Sequence, residues 1–579
     1  MGIAYKWIAL SNTTLGVLMA TINGTILIIS LPAIFRGIQV NPLDPSQTTL
    51  LLWVMLSFNV ATTILLVTFG RISDSFGRVR LYNAGFAVFT IGSILCSITP
   101  GLGTAGEWQL IIFRFVQGIG GAFLFANSSA ILTDAFPANE RGLALGLNQI
   151  AAIGGGILGL ILGGVLSAID WRLVFLVSVP IGLVGTIWAY VALREQVSER
   201  EPARLDLLGN LAFGLGLLGI LGGLTTGIIP YGGHAMGWSS PVVRAAIVGG
   251  AVLLALFLWV ESRVSRPLLD LRLFRIRAFA TGNAATFLSS VARGGLQFMI
   301  IIWLQGIWLP LHGVAYVNTP LQAGIDTIPQ MVGFLVSGPL SGRLSDRVGA
   351  RWLGFLGMLV AAVGFLLLSA LPADFSYWQF AIYLFVIGAG MGIFASPNAS
   401  AVMSSVPVLY RGAASGTMAT FQNAGMLMSM GVFFTIVITG MNRHLPVALA
   451  HGLGAFALPA AVVHGLAQLP PTATLFAALL GYNPMAHLIP TAILHALPGA
   501  QAATLIGERF FPHLIGTTFM SALREVFLFA MAMSLVAAVA SLLRGGRYIA
   551  TEADLEDQPR PAAPAPGDGV PPTKAETGV

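Results

Sequence analysis

Charge is what this sequence most lacks. Only 9% of its 579 residues are Asp, Glu, Lys or Arg, while 56% are hydrophobic. A soluble domain carries about 25% charged residues, so an ordinary aqueous surface is excluded and the chain reads as an integral membrane protein. Cysteine is almost absent as well. Cys96 stands alone, which excludes disulfides within the chain and cysteine metal clusters. Lysine is confined to Lys6 and Lys574. No Walker-type phosphate loop occurs, so ATP is not expected to drive the protein directly. No clustered nucleophile, metal-ligand set or acid pair of the kind an enzyme needs stands out. The net charge of +6 does not mark a nucleic-acid binder, because most basic residues sit in short connections between apolar runs. Residues 1–10 are barely charged, no small-residue cleavage site follows, and the first apolar run is long enough to span, so a removable signal peptide is not expected.

What fills the chain instead is hydrophobic length. Runs of roughly 18–25 apolar residues, the length a bilayer requires, recur about fourteen times. They lie near 8–34, 48–69, 81–99, 109–132, 143–167, 173–193, 206–228, 243–261, 279–305, 321–341, 352–371, 378–402, 414–440 and 524–543. Arginines collect in every second connection: Arg71, Arg78 and Arg80; Arg141; Arg194, Arg200 and Arg204; Arg263 to Arg277; Arg343, Arg347 and Arg351; Arg411; and Arg544 with Arg547. Among the short connections on the other side, Arg36 and Arg172 are single exceptions. The positive-inside rule then puts these connections and both termini in the cytoplasm.

Two of those connections repeat. Gly70, Arg71, Ser73, Asp74 and Gly77 keep their relative places in Gly342, Arg343, Ser345, Asp346 and Gly349, 272 residues further on. Arg141-Gly142 returns as Arg411-Gly412, at a separation of 270. Two echoes in one order at nearly one separation indicate a duplicated chain in parallel orientation, as in one large class of secondary transporters. The expected fold is therefore all-α: two six-helix bundles in parallel repeat, with two additional membrane helices between them. Residues 1–200 would form the first bundle, 201–275 the linker pair with an interfacial helix near 267–279, and 276–545 the second bundle. Residues 441–522 form an insert on the non-cytoplasmic side, expected to hold short interfacial or re-entrant helices, and 546–579 a disordered cytoplasmic tail. The insert holds six of the eight histidines (His444, His451, His464, His487, His495, His513). They read either as a pH- or metal-sensing cap or as polar edges of amphipathic helices.

With these features in place, the sequence resembles the major facilitator superfamily, in its fourteen-span drug:proton antiporter branch. Residues 70–80 resemble its cytoplasmic signature G-x-L-a-D-r-x-G-r-k. Arg114, Gln117, Gly118 and Gly120 resemble R-x-x-Q-G-x-G in the fourth span. Gly155, Gly159, Gly163 and Gly164 resemble the antiporter motif G-x-x-x-G-P-x-x-G-G, and Trp171 to Gly182 resemble W-R-w-i-F-x-i-N-x-P-x-G. Three positions depart from the pattern. Leu160 replaces Pro, Ser178 replaces Asn, and Asn23 stands where the first span of the family carries a carboxylate. The resemblance implies alternating access driven by a proton gradient, no bound cofactor, a small-molecule substrate, action as a monomer and residence in the plasma membrane.

The residues themselves suggest roles. Gly70, Asp74, Gly77, Arg78, Gly342, Asp346 and Gly349 can form a conformational latch: glycines allow close backbone approach, and Asp74 can accept from Arg78 or cap a helix N-terminus. The resemblance implies that the latched state faces outward. Arg114 and Gln117 share a helix face, and a cation so deep is costly enough to suggest a coupling role. Asp326 is the remaining candidate for protonation, with Glu525 a weaker one. Gly155, Gly159 and Gly163 read equally as an antiport motif and as ordinary small-residue packing. Asn23, Gln149, Arg293, Gln297, Gln422 and Asn423 are candidates for the substrate pathway, and so few acids suit neutral, zwitterionic or amphipathic substrates. The leading expectation is export of lipophilic compounds by proton antiport. The alternative is a substrate-specific exporter or facilitator for which the missing first-span carboxylate is no loss.

Overall fold

The computed structural model describes residues 5–137, 140–195, 207–228, 231–232, 236–264, 271–406, 411–456 and 458–545. The tail from 546 and the beginning of the expected interfacial helix lie outside these. Every element among the described residues is a helix, as a lipid environment demands of a chain that must satisfy its own backbone. The first bundle comprises α1 (Tyr5–Gly37), α2 (Pro45–Phe76), α3 (Arg78–Ser97), α4 (Gly103–Ala135), α5 (Arg141–Ile169) and α6 (Leu173–Ala192). The linker pair is α7 (Leu207–Gly227) and α8 (Pro241–Glu261). The second bundle begins with α9 (Arg277–Leu311), α10 (Thr319–Asp326, continued after a break by Ile328–Val348), α11 (Ala350–Ser369), α12 (Tyr377–Ser404) and α13 (Arg411–Leu453). Five short helices follow: α14 (Ala460–Ala467), α15 (Pro471–Leu480), α16 (Pro484–Leu488), α17 (Thr491–Ala496) and α18 (Gly499–Ile506). The chain ends in α19 (Phe510–Leu542).

Twelve of these helices are long and apolar enough to cross a membrane. The helices α2 and α10 also have the length but carry the repeated polar motif at their C-terminal ends. With them the long helices among the described residues number fourteen, in the order expected. Sequence and structure agree on the duplication at the level of atoms. A Cβ on Gly85 would stand 3.1 Å from the Gly120 carbonyl oxygen, and one on Gly357 would stand 2.7 Å from that of Gly390. These equivalent crossings, α3 on α4 and α11 on α12, lie 272 and 270 residues apart, the separations of the sequence motifs. Gly77 and Gly349 are equivalent too. Their φ values of 105° and 87° lie where a side chain is disfavoured, and each makes the sharp turn from one helix into the next.

The linker helices pack on each other through glycine, with a Cβ on Gly216 falling 3.0 Å from the Gly250 carbonyl oxygen, the small-residue contact typical of membranes. On α7, Asn210 accepts from Thr68 of α2 at 2.5 Å, and Leu224 lies against Gly431 of α13. The pair thus leans on both bundles, while α8 turns Val248, Val252 and Trp259 outward. Of the interfacial helix expected over 267–279, the described part is a single 3-10 turn, Leu271–Arg275. Leu273 is drawn into an apolar cluster with Phe279 and Val402, and α9 starts directly at Arg277, so residues 277–279 belong to a membrane helix and not to an interfacial one.

Both flanking helices extend into the insert, α13 as far as Leu453 and α19 from Phe510. At 1.5 Å per residue, the 43 residues of α13 reach about 65 Å, twice a hydrocarbon core. Between Leu453 and Phe510, α14 and α15 form a pair bent by 89°. All ten residues of α15 are buried. The largest apolar cluster of the molecule runs from Ile22 of α1 through Trp303 of α9 and Phe476 of α15 to Phe527 of α19. The insert thus holds short helices, and α15 among them is part of the core.

Candidate functional site

Four polar side chains meet in the middle of the first bundle. Arg114, 1% exposed, donates through Nη1 to Asn23 Oδ1 at 2.5 Å and to Gln117 Oε1 at 2.9 Å. Gln117 donates in turn to Ser93 Oγ at 2.7 Å. The guanidinium carbon stands 4.9 Å from the centre of the Phe58 ring, an added cation–π attraction. Among the described residues no carboxylate pairs with Arg114, and its Nε has no hydrogen-bond partner. The α1 residue expected to line a pathway and the α4 residues expected to tune coupling thus form one network. Asn23 supplies an acceptor oxygen where a carboxylate would supply a charge.

The glycines of α5 divide their work by face. A Cβ on Gly155, Gly159 or Gly163 would come within 2.9, 2.7 and 2.8 Å of the carbonyl oxygens of Leu18, Ile22 and Ile26, so this row is a zipper holding α5 against α1. The adjacent row meets the second bundle. Gly164 lies against the backbone of Leu321, a Cβ on Gly324 would be 3.0 Å from the Leu160 carbonyl oxygen, and Met331 Cε approaches Gly156. On α9, Gln305 donates to the Ile29 carbonyl oxygen of α1 at 3.2 Å. The contacts of Gly164, Gly324 and Gln305 lie toward the end of the molecule away from the repeated motifs. There α15 also wedges in, with Leu479 against Gly306 of α9 and Phe476 stacked on Phe434 of α13 at 6.2 Å. The two bundles are closed on each other at this far end.

Asp326 sits beside that seam, at the break in α10. It is 3% exposed; Oδ1 accepts from Gln322 at 2.9 Å, and Oδ2 has no partner. Glu525, by contrast, is half exposed and lies 3.6 Å from Arg443. Arg293 ends the first stretch of α9. Beside it, Gly294 packs on the Met426 backbone and Gly295 donates to Ser429 Oγ at 2.9 Å, so this part of α9 is a packing surface. Gln297 keeps a buried Nε2 without a partner. Gln422 and Asn423 are partly exposed on α13. The side chain of Gln149 lies outside the described residues.

At the motif end, Arg78 donates through Nη1 to both carboxylate oxygens of Asp134 of α4, at 2.8 and 2.7 Å. Glu195 accepts from the backbone N–H groups of Arg78 and Val79 at 3.1 and 3.2 Å, placing a carboxylate where the α3 dipole favours one. These contacts all fall within the first bundle. Gly70 and Gly349 face open space, and Gly342 packs on Ser396 of its own bundle. The side chains of Asp74 and Asp346 lie outside the described residues. In the insert, His487 stacks on Tyr482 and His464 meets Gln468. Among the described residues no group of three His, Cys, Asp or Glu could hold a metal.

Sequence reasoning missed Gln305, Ser93, Asp134 and Glu195. Single polar residues in apolar runs carry no signal until their partners are known.

Two pseudo-equivalent bundles, a buried arginine network between helices and a seam at one end define a membrane transporter. The family model described as Major Facilitator Superfamily matches residues 13–209 and 207–430. The methylenomycin A resistance protein of Bacillus subtilis (strain 168) is 30% identical over 447 residues, covering 76% of this chain and 88% of that protein. Riboflavin transporter RibZ of Clostridioides difficile (strain 630) is 29% identical over 433 residues, 74% of this chain and 87% of that protein. Other relatives carry the name multidrug resistance protein. A bacterial homolog of the human lysosomal transporter Spinster has the same fold, with a TM-score of 0.56 at 15% identity over 94% of this chain and 97% of that one. The chain belongs to the major facilitator superfamily. It is a multi-pass membrane transporter and not an enzyme.

Proposed function

We propose that this protein exports small lipophilic or amphipathic compounds from the cytoplasm across the plasma membrane by alternating access, driven by proton antiport. Both termini and the motif end face the cytoplasm in this reading, so the closed seam is the outer one. The observation that carries it is Asp326. A buried carboxylate with one oxygen unpartnered, one turn from the seam, changes its solvation when the seam opens. Taking an unpaired charge out of water is costly, so opening and protonation are linked there. Asn23 cannot titrate, and Arg114 stays charged throughout. Relatives named for antibiotic resistance support export.

The test is dye efflux from energised cells, with and without a protonophore, beside Asp326→Asn. Efflux that collapses with the protonophore and fails in the variant is expected. Protonophore-sensitive efflux that survives the substitution would remove Asp326 from the role. The second reading is a substrate-specific exporter, favoured by Asn23 and by a relative that transports riboflavin. It would lead if the protein reached the membrane yet moved no dye.

A further inference from the structure

Glu107, on the first turns of α4, is used by nothing described so far. It has no exposed surface, and neither Oε1 nor Oε2 has a hydrogen-bond partner. It precedes Arg114 by seven residues, two turns, and so shares the face of α4 that carries Arg114. Buried Leu110 and Ile111 fill the space between. Over this end of α4 lies the connection from α1 to α2. Gly103 donates to the Ile38 carbonyl oxygen at 2.6 Å, and a Cβ on Gly106 would be 3.3 Å from Ile38 Cβ.

The charged groups around it offer no rescue. Asp44, on the same connection, has the same sign and its field reaches Glu107. Arg36 of α1 turns back to its own Pro32 carbonyl oxygen. Arg172, at the start of α6, donates to Thr99 and lies over Trp171. Ser97 at the end of α3 and Thr99 just beyond it bond within their own turn. Arg114 is held by Asn23 and Gln117. Gln47, at the start of α2, is uncharged and faces Asp44.

We propose that Glu107 is a second proton-binding site, loaded from the outer solvent, and that loading it permits the outer end to close. With the end open, water solvates an ionised carboxylate. Closing strips that water and supplies no partner, so the closed end accepts the side chain only as the neutral acid. A proton passes from outer water to a carboxylate oxygen, and a buried uncharged group results. Below it the same face continues as Arg114 and Gln117, toward the opposite end. The inference rests on the orientation and antiport reading above.

The experiment uses the full chain in intact cells, with Ala478→Cys on buried α15 as reporter and Gln468→Cys, exposed in the insert, as reference. Cys96 is buried. A membrane-impermeant maleimide is applied at several external pH values, and Ala478→Cys labelling is divided by that of the reference. The expected ratio rises several-fold from mildly acidic to mildly alkaline medium, as deprotonated Glu107 holds the outer end open. Adding Glu107→Gln should make it low and flat, and Glu107→Asp should restore the rise. A Gln variant that keeps the rise, or a parent ratio without pH dependence, overturns the assignment; the latter holds even if the variant fails to fold. Dye efflux indifferent to a protonophore, with labelling still following pH through Glu107, would sink the antiport reading and leave the gate standing.

Discussion

At the scale of single residues, the exchange of a carboxylate for Asn23 changes what Arg114 does. A buried arginine facing an acid is an ion pair that can switch; facing an amide, it is a fixed cation held by oriented dipoles. Asn23 Oδ1 at 2.5 Å is a bond to a charged donor, worth about 1.5–3 kcal/mol, and leaving such a donor unpaired costs at least as much. Asn23→Leu is therefore expected to destabilise the first bundle by about 2–3 kcal/mol, read as a lower melting temperature of the purified protein in detergent. Asn23→Asp keeps the acceptor and should hold the melting temperature while adding a titrating group, visible as a new step in the pH profile of efflux. A melting temperature unchanged in Asn23→Leu would show the hydrogen bond to be dispensable. The sequence singled out both residues, but their contact was not legible from it. Asn23 and Arg114 stand 91 residues apart, and each alone reads as a polar residue in an apolar run. The relation of Glu107 to Arg114 was legible in principle, since seven residues on a helix is one face. An acid near a helix start is otherwise read as solvated.

Between elements, the glycines of α5 carry two interfaces a third of a turn apart. The row at Gly155, Gly159 and Gly163 brings α5 close to the α1 backbone, with the Thr21 and Thr25 hydroxyls filling the space a side chain on Gly155 or Gly159 would need. Gly159→Val should overpack this contact by about 1–3 kcal/mol and lower the yield of folded protein. Gly154, one residue from the row, faces open space, and Gly154→Ala should be tolerated. Equal yields for the two variants would contradict the zipper. The helices themselves were readable from sequence because a bilayer sets their length, and the parallel duplication because the motif turns demand glycine at Gly77 and Gly349. The seating of α15 was not. A run rich in Ala, Leu, Thr and Pro suits an interfacial helix as well as a buried one, and only the space between the bundles decides.

Over the whole molecule, the distribution of contacts is the functional statement. Among the described residues the bundles touch along α5 and α10, along α1 and α9, through α15, and midway along α2 and α13 where Leu56 and Val60 meet Leu427; the closest backbone approaches lie toward the end away from the repeated motifs. At the motif end Arg78 is engaged within its own bundle by Asp134. A transporter must exchange this arrangement for one closed at the opposite end, and each closure has to be opposed by contacts made only in the other state. Fixing the observed seam should therefore stop transport without unfolding anything. A Cβ on Gly324 would stand 3.5 Å from that of Leu160, within the range a disulfide spans. Leu160→Cys with Gly324→Cys, in a background of Cys96→Ala, should cross-link the bundles under mild oxidation. Dye efflux is expected to fall to the level of cells lacking the protein and to return when a reductant opens the bond, while either single cysteine variant keeps its activity. If the cross-linked protein still exported dye, the contact between Leu160 and Gly324 would not belong to the gate, and the closing motion would have to be sought at α15 alone.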